Sequence, residues 1–343
     1  MEKVQSQVSF EEVKRYILAE ENVNRDAISR ETKQQNAALL LGIKVYEGAD
    51  KLVSASYKSL YIPIKNGIPL SVLELDDLLL PRKNGFWKIN VASSTYDNGD
   101  TIIRFGPLNE NNNSSNSDNL ETEMSQTKWN SVIMKNGEII FLGNDFISAT
   151  ERDEDGYEIV GIYPLDNLAA KQRTQLSDLV ADGKVKFLQA ENIALPDSIA
   201  PLGEDENITL YRDKGFWNIF GKRVIMLGDG QSQVYDFPIN IAVPRDMVKY
   251  DRSILPWSEI KLILPQTIDA FFSPNQDILI ILTKEGLEIY STHNRKINKE
   301  PLAMIPISNR AEIVMAEWAI DSSVERWGQE VGRQLPKNLL EVQ

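Results

Sequence analysis

The sequence predicts a mainly β protein that is built from repeated small sheets. From about residue 57 onward, short runs rich in Ile, Val, Leu, Phe and Tyr alternate with Asn-Gly, Asp-Gly, Lys-Gly and Glu-Gly turns. β-Branched and aromatic residues favour a pleated strand, and Asn-Gly supplies the positive φ angles of a tight hairpin. The clearest hairpins lie at residues 131–142 and 277–290. A motif that occurs twice adds evidence of repetition.

The first fifty residues differ from the rest of the chain. Ser9 can cap a helix, and Val13, Tyr16 and Ile17 recur at the spacing of one helical face. Residues 1–50 are therefore predicted to form an N-terminal helical segment or stalk.

The repeated β-sheet domain is assigned to residues 51–321. Within it, residues 109–128 are rich in Asn and Ser and are predicted to be a disordered loop, because so few apolar side chains cannot offset the entropy of ordering. Short helices are predicted at residues 168–179 and 311–319, and a C-terminal helix or tail at residues 322–343.

The motif R-x-x-G-F-W-x-I occurs at residues 82–89 and again, 130 residues later, at residues 212–219. A further tryptophan follows each copy after about one third of that interval, at Trp129 and Trp257. The implied period is about 43 residues, which suits a four-stranded blade packed on its neighbours around an axis. The sequence thus predicts a β-propeller-like domain of about six blades. The alternative is two consecutive β-sandwich or barrel domains, each with one copy of the motif.

Through the turn spacing and the two G-F-W segments, residues 55–320 resemble bacterial β-propeller-like proteins of the cell envelope whose function is uncharacterised. The resemblance implies the fold, but no functional residue carries over, because no diagnostic motif such as the WD dipeptide is present. An acidic, cysteine-free chain suits an extracytoplasmic protein of the cell envelope whose export signal has been removed. The alternative is a cytoplasmic protein, because no basic and then apolar signal follows Met1.

Composition excludes several classes of function. The net charge of −13 repels nucleic acid, and no run approaches the roughly 18 apolar residues that cross a membrane. The chain contains no cysteine and only one histidine, His293, which excludes thiol nucleophiles, thiolate metal sites and multi-histidine metal sites. No glycine-rich phosphate cradle is present, so no cofactor is expected. A protein or a carbohydrate remains the expected partner.

The four aromatic residues of the repeated motif are candidate ligand-binding residues: Phe86, Trp87, Phe216 and Trp217. A glycine turn beside two large rings can present a platform on which a sugar stacks. The competing interpretation is that these rings anchor one blade on the next. Because neighbouring residues of a strand face opposite sides, we expect one ring of each pair to be buried.

Glu151, Asp153, Asp155 and Gly156 have the spacing of alternating carboxylates in a calcium loop. The position that should supply a bidentate acid is Ile162, so no metal is expected there. The sequence favours a solvated acidic hairpin.

Asp145 is the first candidate for a catalytic carboxylate, because it lies between two apolar runs that would partly desolvate it. Asp76 and Asp77 are alternatives. The main prediction is nevertheless a non-enzymatic binding or interaction module at a bacterial cell surface. The alternative is a carbohydrate-active hydrolase that uses paired carboxylates.

Overall fold

The structure, a computed structural model, describes residues 36–46, 55–93, 100–108, 129–154, 156–227, 232–308 and 310–335. The strands in these ranges are, in chain order, β1 (Ala37–Tyr46), β2 (Ala55–Lys65), β3 (Ile68–Pro69), β4 (Leu73–Asp76), β5 (Leu78–Arg82), β6 (Gly85–Ser93), β7 (Thr101–Pro107), β8 (Asn130–Met134), β9 (Glu138–Leu142), β10 (Phe146–Arg152), β11 (Glu158–Pro164), β12 (Ile208–Asp213), β13 (Phe216–Met226), β14 (Ser232–Pro238), β15 (Asp269–Phe272), β16 (Ile278–Leu282), β17 (Gly286–His293), β18 (Lys296–Ile297), β19 (Ala303–Pro306) and β20 (Ala311–Ile320).

Few helices accompany the strands. A 3₁₀ helix covers Leu165–Ala170, and the α-helices are α1 (Leu176–Leu179), α2 (Gly183–Ala194), α3 (Trp257–Ile263) and α4 (Ser322–Gln334). None of the helices in the described ranges is both long and apolar enough to cross a membrane.

The strands form five antiparallel sheets, the blades of a β-propeller. Blade 1 has the order β20-β1-β2, with β3 and β4 both paired to β2, and blade 2 has the order β5-β6-β7-β8. Blade 3 is β9-β10-β11 and blade 4 is β12-β13-β14. Blade 5 is β15-β16-β17, with β18 and β19 both paired to β17. The propeller-like prediction is confirmed, with five blades where about six were expected.

Pairing of the last strand with the first closes the ring. β20 pairs antiparallel with β1, from Ala37 opposite Ile320 to Val45 opposite Ala311. The two faces of β1 then pack on different blades, since Leu40 belongs to the core shared with blade 2 and Leu41 to the core shared with blade 5. A strand buried on both faces has a continuous apolar sequence instead of an alternating one.

This burial on both faces explains two differences between the predicted and the observed secondary structure. Residues 37–46 form β1, although the sequence assigned them to the helical segment 1–50. Residues 311–319 form most of β20 and not a helix, because their apolar residues line cores on both sides of the strand. Residues 1–35, where the stalk was predicted, and the predicted loop 109–128 lie outside the described residues.

The other predicted helices are partly as expected. The helix predicted at residues 168–179 is interrupted, because Lys171 has a φ of 52° and ends the 3₁₀ helix before α1 begins. The C-terminal helix is present as α4, which buries Trp327 and Val331 against blades 1 and 2. The helix α2 was not predicted.

The period of 43 residues is wrong, because the two motif copies lie in blades 2 and 4. The interval of 130 residues therefore spans two blades and their connections, not three blades. The two tryptophans that suggested a division of this interval into three are not equivalent. Trp129 immediately precedes β8, the outermost strand of its blade, whereas Trp257 begins α3.

Candidate functional site

Both copies of the repeated motif place an arginine at the end of an innermost strand, with a glycine turn after it. The Arg82 guanidinium lies 4.3 Å from the centre of the Trp87 ring, and that of Arg212 lies 5.2 Å from the Trp217 ring. The turn residue Gly215 has a φ of 84°, which a side chain rarely adopts. In both copies the arginine therefore lies against the tryptophan of its own motif.

Each motif arginine also binds two carboxylates beyond its own blade. Arg82 donates to Asp145 (3.1 Å) and Asp166 (2.8 Å) of blade 3. Arg212 binds Asp269 of blade 5 and Asp251 of the connection that leads to it, at 3.0 and 3.3 Å. Charge-assisted, forked hydrogen bonds of this kind fix orientation. The arginine therefore joins each blade to the next.

One ring of each aromatic pair is buried, but it is not the same ring in the two copies. Phe86 is buried, with the centre of its ring 5.6 Å from that of Trp327, whereas Trp87 is half-buried and stacks on Phe105. In blade 4, Trp217 is buried and Phe216 is half-buried. All four rings lie within or beside blade contacts. Their role in ligand binding stays a prediction.

The exchange of buried rings follows from the turns. In blade 2, Arg82 pairs with Gly85, whereas in blade 4 the corresponding turn is closed by Asp213 and Phe216. The turn is thus shifted by one residue along the motif. A one-residue shift moves every side chain of a strand to the opposite face.

The three candidate catalytic carboxylates lie in two places. Asp76 is an exposed residue at the end of β4, and Asp77, with a φ of 72°, accepts from Asn90 (2.7 Å) and Lys88 (2.9 Å) between blades 1 and 2. Asp145 follows the innermost strand of blade 3. The structure does not bring Asp145 together with the other two.

The acidic side chains at the end of β10 and just after it already have hydrogen-bond or ion-pair partners. Glu151 accepts from the Tyr163 hydroxyl (3.0 Å) and pairs with Lys171, while Asp153 accepts from the Tyr157 amide at 2.8 Å. Asp155 lies outside the described residues. Within the described ranges, no group of three or more histidine or acidic side chains could hold a metal ion.

A small cavity lies beside the innermost strands of blades 1, 4 and 5. A cavity of about 10 Å³ remains between β12, β15, β20 and the connection before α3, and its lining includes Arg212, Asp251, Phe271 and Trp318. Such a volume holds about one water molecule. The Arg212 guanidinium is buried there, and although burial alone lowers its pKa, the charges of Asp269 and Asp251 raise it above the usual value.

Glu317, on the innermost strand β20, was not identified from the sequence. It faces Leu40 of β1, is 8% exposed, and has no hydrogen bond or ion pair with any described residue. Burial raises the pKa of this carboxyl to about 8, with the Lys249 charge opposing and the Asp145 charge adding to the shift. The sequence signal was an isolated acid within the apolar run Ala316-Glu317-Trp318-Ala319.

Lys249 lies in the connection between blades 4 and 5, close enough to Glu317 for its charge to act on that carboxyl. With the Asn144 amide oriented to satisfy its neighbours, its Oδ1 accepts from Lys249 Nζ at 3.2 Å and its Nδ2 donates to the Pro81 carbonyl at 2.7 Å. The neighbouring residue Asp145 binds Arg82. These charged groups are therefore held by residues of several blades.

The larger open space lies between blades 3 and 4. A cleft of about 180 Å³ separates the tip of the β10–β11 hairpin from one face of β13. Its apolar wall contains Tyr157, Ile159, Val160, Val224 and Met226.

The charged wall of the cleft contains two cations, each held by acids. Lys222 pairs with Glu158 and lies 3.7 Å from Asp236. Burial alone lowers the pKa of Lys222, but the hydrogen bond and charge of Glu158 outweigh it and raise the pKa above the usual value. Lys222 therefore stays charged in the cleft.

Arg223 is less completely satisfied. Its Nη1 lies 3.5 Å from Glu204, and its Nε lies 3.8 Å from the buried carboxylate of Glu191. That distance is too long for a hydrogen bond, so the buried Nε has no hydrogen-bond partner among the described residues.

No sequence pattern indicated this cleft, because its two walls come from segments about 60 residues apart in the chain. No single segment contains a motif for it.

Comparisons with known proteins add little to this picture. No protein-family model matches the chain, and no curated protein matches it. Among solved structures, a protein from Lactobacillus plantarum is 7% identical, with 83% of this chain and 99% of the other covered, at a TM-score of 0.17. A putative 6-phosphogluconolactonase from Bacteroides uniformis is 11% identical, with 80% and 68% covered, also at a TM-score of 0.17. Similarities this low carry no argument about function.

Proposed function

We propose that the protein is a non-enzymatic binding module that holds part of its ligand in the cleft between blades 3 and 4. The observation that carries the proposal is the cleft itself, which offers about 180 Å³ of open space with an apolar wall and with charged side chains at its rim. β-Propellers include both binding proteins and enzymes, so the function must be inferred from the site and not from the fold.

The size and chemistry of the cleft favour one part of a longer ligand. Sites that enclose a whole small molecule usually measure about 300–1,000 Å³. A smaller cleft suits a side chain or a single sugar unit of a chain that continues outside it. Tyr157 and Val224 offer apolar contact, while Glu204 and Arg223 offer charged groups at the rim.

The binding surface is tested with a peptide array and a glycan array, both probed with the full chain. Val224→Arg places a long charged side chain into the cleft and should weaken binding to the captured ligands by about tenfold or more. The matched control is Ile133→Arg, on the outermost strand of blade 2, where the side chain is 56% exposed. Equal binding by both variants, or no ligand on either array, would contradict the proposal.

Location at a bacterial cell surface is part of the same proposal. It is supported by the acidic, cysteine-free composition. Fractionation of cells that express the gene from its natural start tests it, since recovery in the cytoplasm alone would refute it.

A carbohydrate-active hydrolase is the second candidate, and one observation favours it. Glu317 is desolvated and protonated at neutral pH, as a general acid must be, and the charge of Asp145 acts on it. A glycosidase screen tests this candidate with Glu317→Gln and Asp145→Asn. Hydrolysis that either variant abolishes would establish the enzyme, and a screen without hydrolysis by the native chain would reject it.

A further inference from the structure

Within the described residues, the outermost strand of blade 4, β14, has no strand paired to its outer edge. Blades 1, 2 and 5 each have a fourth strand, which is β4, β8 and β19 respectively, but blade 4 stops at β14. Blade 3 also has three strands, yet its edge is covered, because the Thr174 amide donates to the Ile162 carbonyl at 2.7 Å. The edge of β14 makes no hydrogen bond to the other described residues. An uncovered edge is a template for a further strand.

The register shows which backbone groups point outward from β14. The Ile239 amide donates to the Ile219 carbonyl, and Phe220 pairs with Pro238, which has no amide hydrogen. Hydrogen-bonded and non-hydrogen-bonded pairs alternate along an antiparallel ladder. The amides and carbonyls of Val234 and Asp236 therefore point away from β13, toward the free edge.

The side chains of the same residues face the cleft. Val234 lies opposite Val224, and Asp236 lies opposite Lys222, on the face of the blade that forms the cleft wall. The other face is occupied, because Phe237 packs edge-to-face on Phe187 of α2 at 5.4 Å. A strand added to β14 would direct alternate side chains over the open face.

Charge on this face favours a basic occupant. Asp236, Glu158 and Glu204 are each about half exposed, whereas Lys222 is buried and already paired. The exposed apolar side chains Val234 (46%) and Met226 (46%) lie beside them. A second copy of the chain is disfavoured, because each copy carries a net charge of −13 and would set Asp236 near acids of its partner.

We propose that β14 receives an extended segment of a partner protein as the fourth strand of blade 4. The segment carries a basic residue opposite Asp236 and an apolar residue, two positions away, opposite Val234. Main-chain hydrogen bonds supply affinity and the alternating side chains supply specificity. This inference rests on the proposed function, since it names the ligand of the same cleft as a basic peptide strand.

The probe is a fluorescein-labelled peptide of ten residues in which threonine alternates with lysine and valine. Binding to the full chain is measured by fluorescence anisotropy at low salt. Two control peptides replace lysine with glutamate or carry methyl groups on alternate backbone nitrogens. Both should bind about tenfold more weakly or worse, because the first loses the charge match and the second loses the edge hydrogen bonds.

Two substitutions of Val234 distinguish the contribution of its backbone amide at the strand edge from that of its side chain. Val234→Pro removes the outward amide but breaks no bond to β13, and it should weaken binding by about tenfold or more. Val234→Thr keeps the amide and should bind within about twofold of the native chain. Asp236→Lys is the second test, and it should reverse the preference between the lysine and glutamate peptides. Urea unfolding verifies that each variant is folded.

Three results would overturn the inference. The first is equal binding by Val234→Pro and Val234→Thr. The second is equal binding of the methylated peptide. The third is a native dimer in sedimentation that Val234→Pro dissociates, since it would assign the edge to a second copy. If array ligands still depend on Val224 while Val234→Pro has no effect, the cleft proposal stands and only the strand pairing is wrong.

Discussion

Replacement of Glu317 by glutamine should remove a pH dependence of stability that the native chain has between pH 5 and 8. The carboxyl is buried on β20, and its pKa rises from 4.5 to about 8 in the folded state. A group with a raised pKa in the folded state binds more protons there than in the unfolded chain. The free energy of unfolding therefore falls as the pH rises through this window.

The magnitude follows from the two pKa values. At pH 5 the carboxyl is protonated in the folded protein and mostly ionised in the unfolded chain. Folding must therefore protonate it, which lowers the free energy of unfolding by about 1 kcal/mol. At pH 8 the cost reaches about 4 kcal/mol, because the unfolded chain gains the full benefit of ionisation. The native chain should lose about 3 kcal/mol of stability between these pH values on account of this one group.

Urea unfolding at pH 5 and pH 8 measures the effect for the native chain and Glu317→Gln. Glutamine does not titrate, so the change between the two pH values should be about 3 kcal/mol smaller in the variant. Other acids contribute equally to both proteins and cancel. Glu325→Gln, at an exposed position of α4, should behave as the native chain does. If the native chain and Glu317→Gln show the same pH dependence, the carboxyl does not titrate as argued.

Further predictions concern the contacts that join the blades and the helix α4. Arg212→Ala leaves buried carboxylates without their cation, so it should lower the free energy of urea unfolding by about 3–5 kcal/mol. Arg82→Ala removes a cation whose partners are largely exposed, so it should lower that free energy by only about 1 kcal/mol. Equal losses of stability in the two variants would refute this distinction. Gly42→Val should cost about 1–3 kcal/mol, because a Cβ on Gly42 would lie 2.8 Å from the Met315 Cβ of the closing strand. Gly332→Ala, with nothing within 4 Å, should raise the stability of α4 by up to about 1 kcal/mol, and a loss there would contradict the argument.

The fold was predictable from the turns, because hairpin chemistry is local. Of the two predicted hairpins, residues 277–290 do form one, because β16 pairs with β17. Residues 131–142 do not: Asn136 turns the chain with a φ of 45°, but β8 pairs with β7 in blade 2 and β9 pairs with β10 in blade 3. The strand pattern was nevertheless sufficient for the all-β class. The number of blades was not predictable in this way. Helices and connections of unequal length separate the blades, so spacing along the chain does not measure rotation around the axis.

The strands that close the ring were the hardest to predict. β1 and β20 are buried on both faces, and a short apolar run without alternation looks the same in a buried helix as in a buried strand. Only their pairing with each other, about 270 residues apart, distinguishes the two structures. This information is absent from either segment alone.

The motif itself was recognised, but the role of its arginines was not. The candidate residues were Phe86, Trp87 and the equivalent rings, whereas the structure shows that the repeated spacing also positions Arg82 and Arg212 to bind aspartates outside their own blades. The partner aspartates have no fixed spacing from either motif. A pattern within one segment can show which residue is repeated, but not which residue on another segment it meets.

The same reasoning explains why both candidate sites arise between segments. Glu317 is unusual only because β1 and Lys249 surround it, and the open edge of β14 beside the cleft exists because blade 4 has no fourth strand among the described residues. A missing strand leaves no trace in sequence, since the residues that would have formed it are simply replaced by a connection. Function in this protein is therefore expected where the repeat is broken, at the edge of β14, and not where the repeat is strongest.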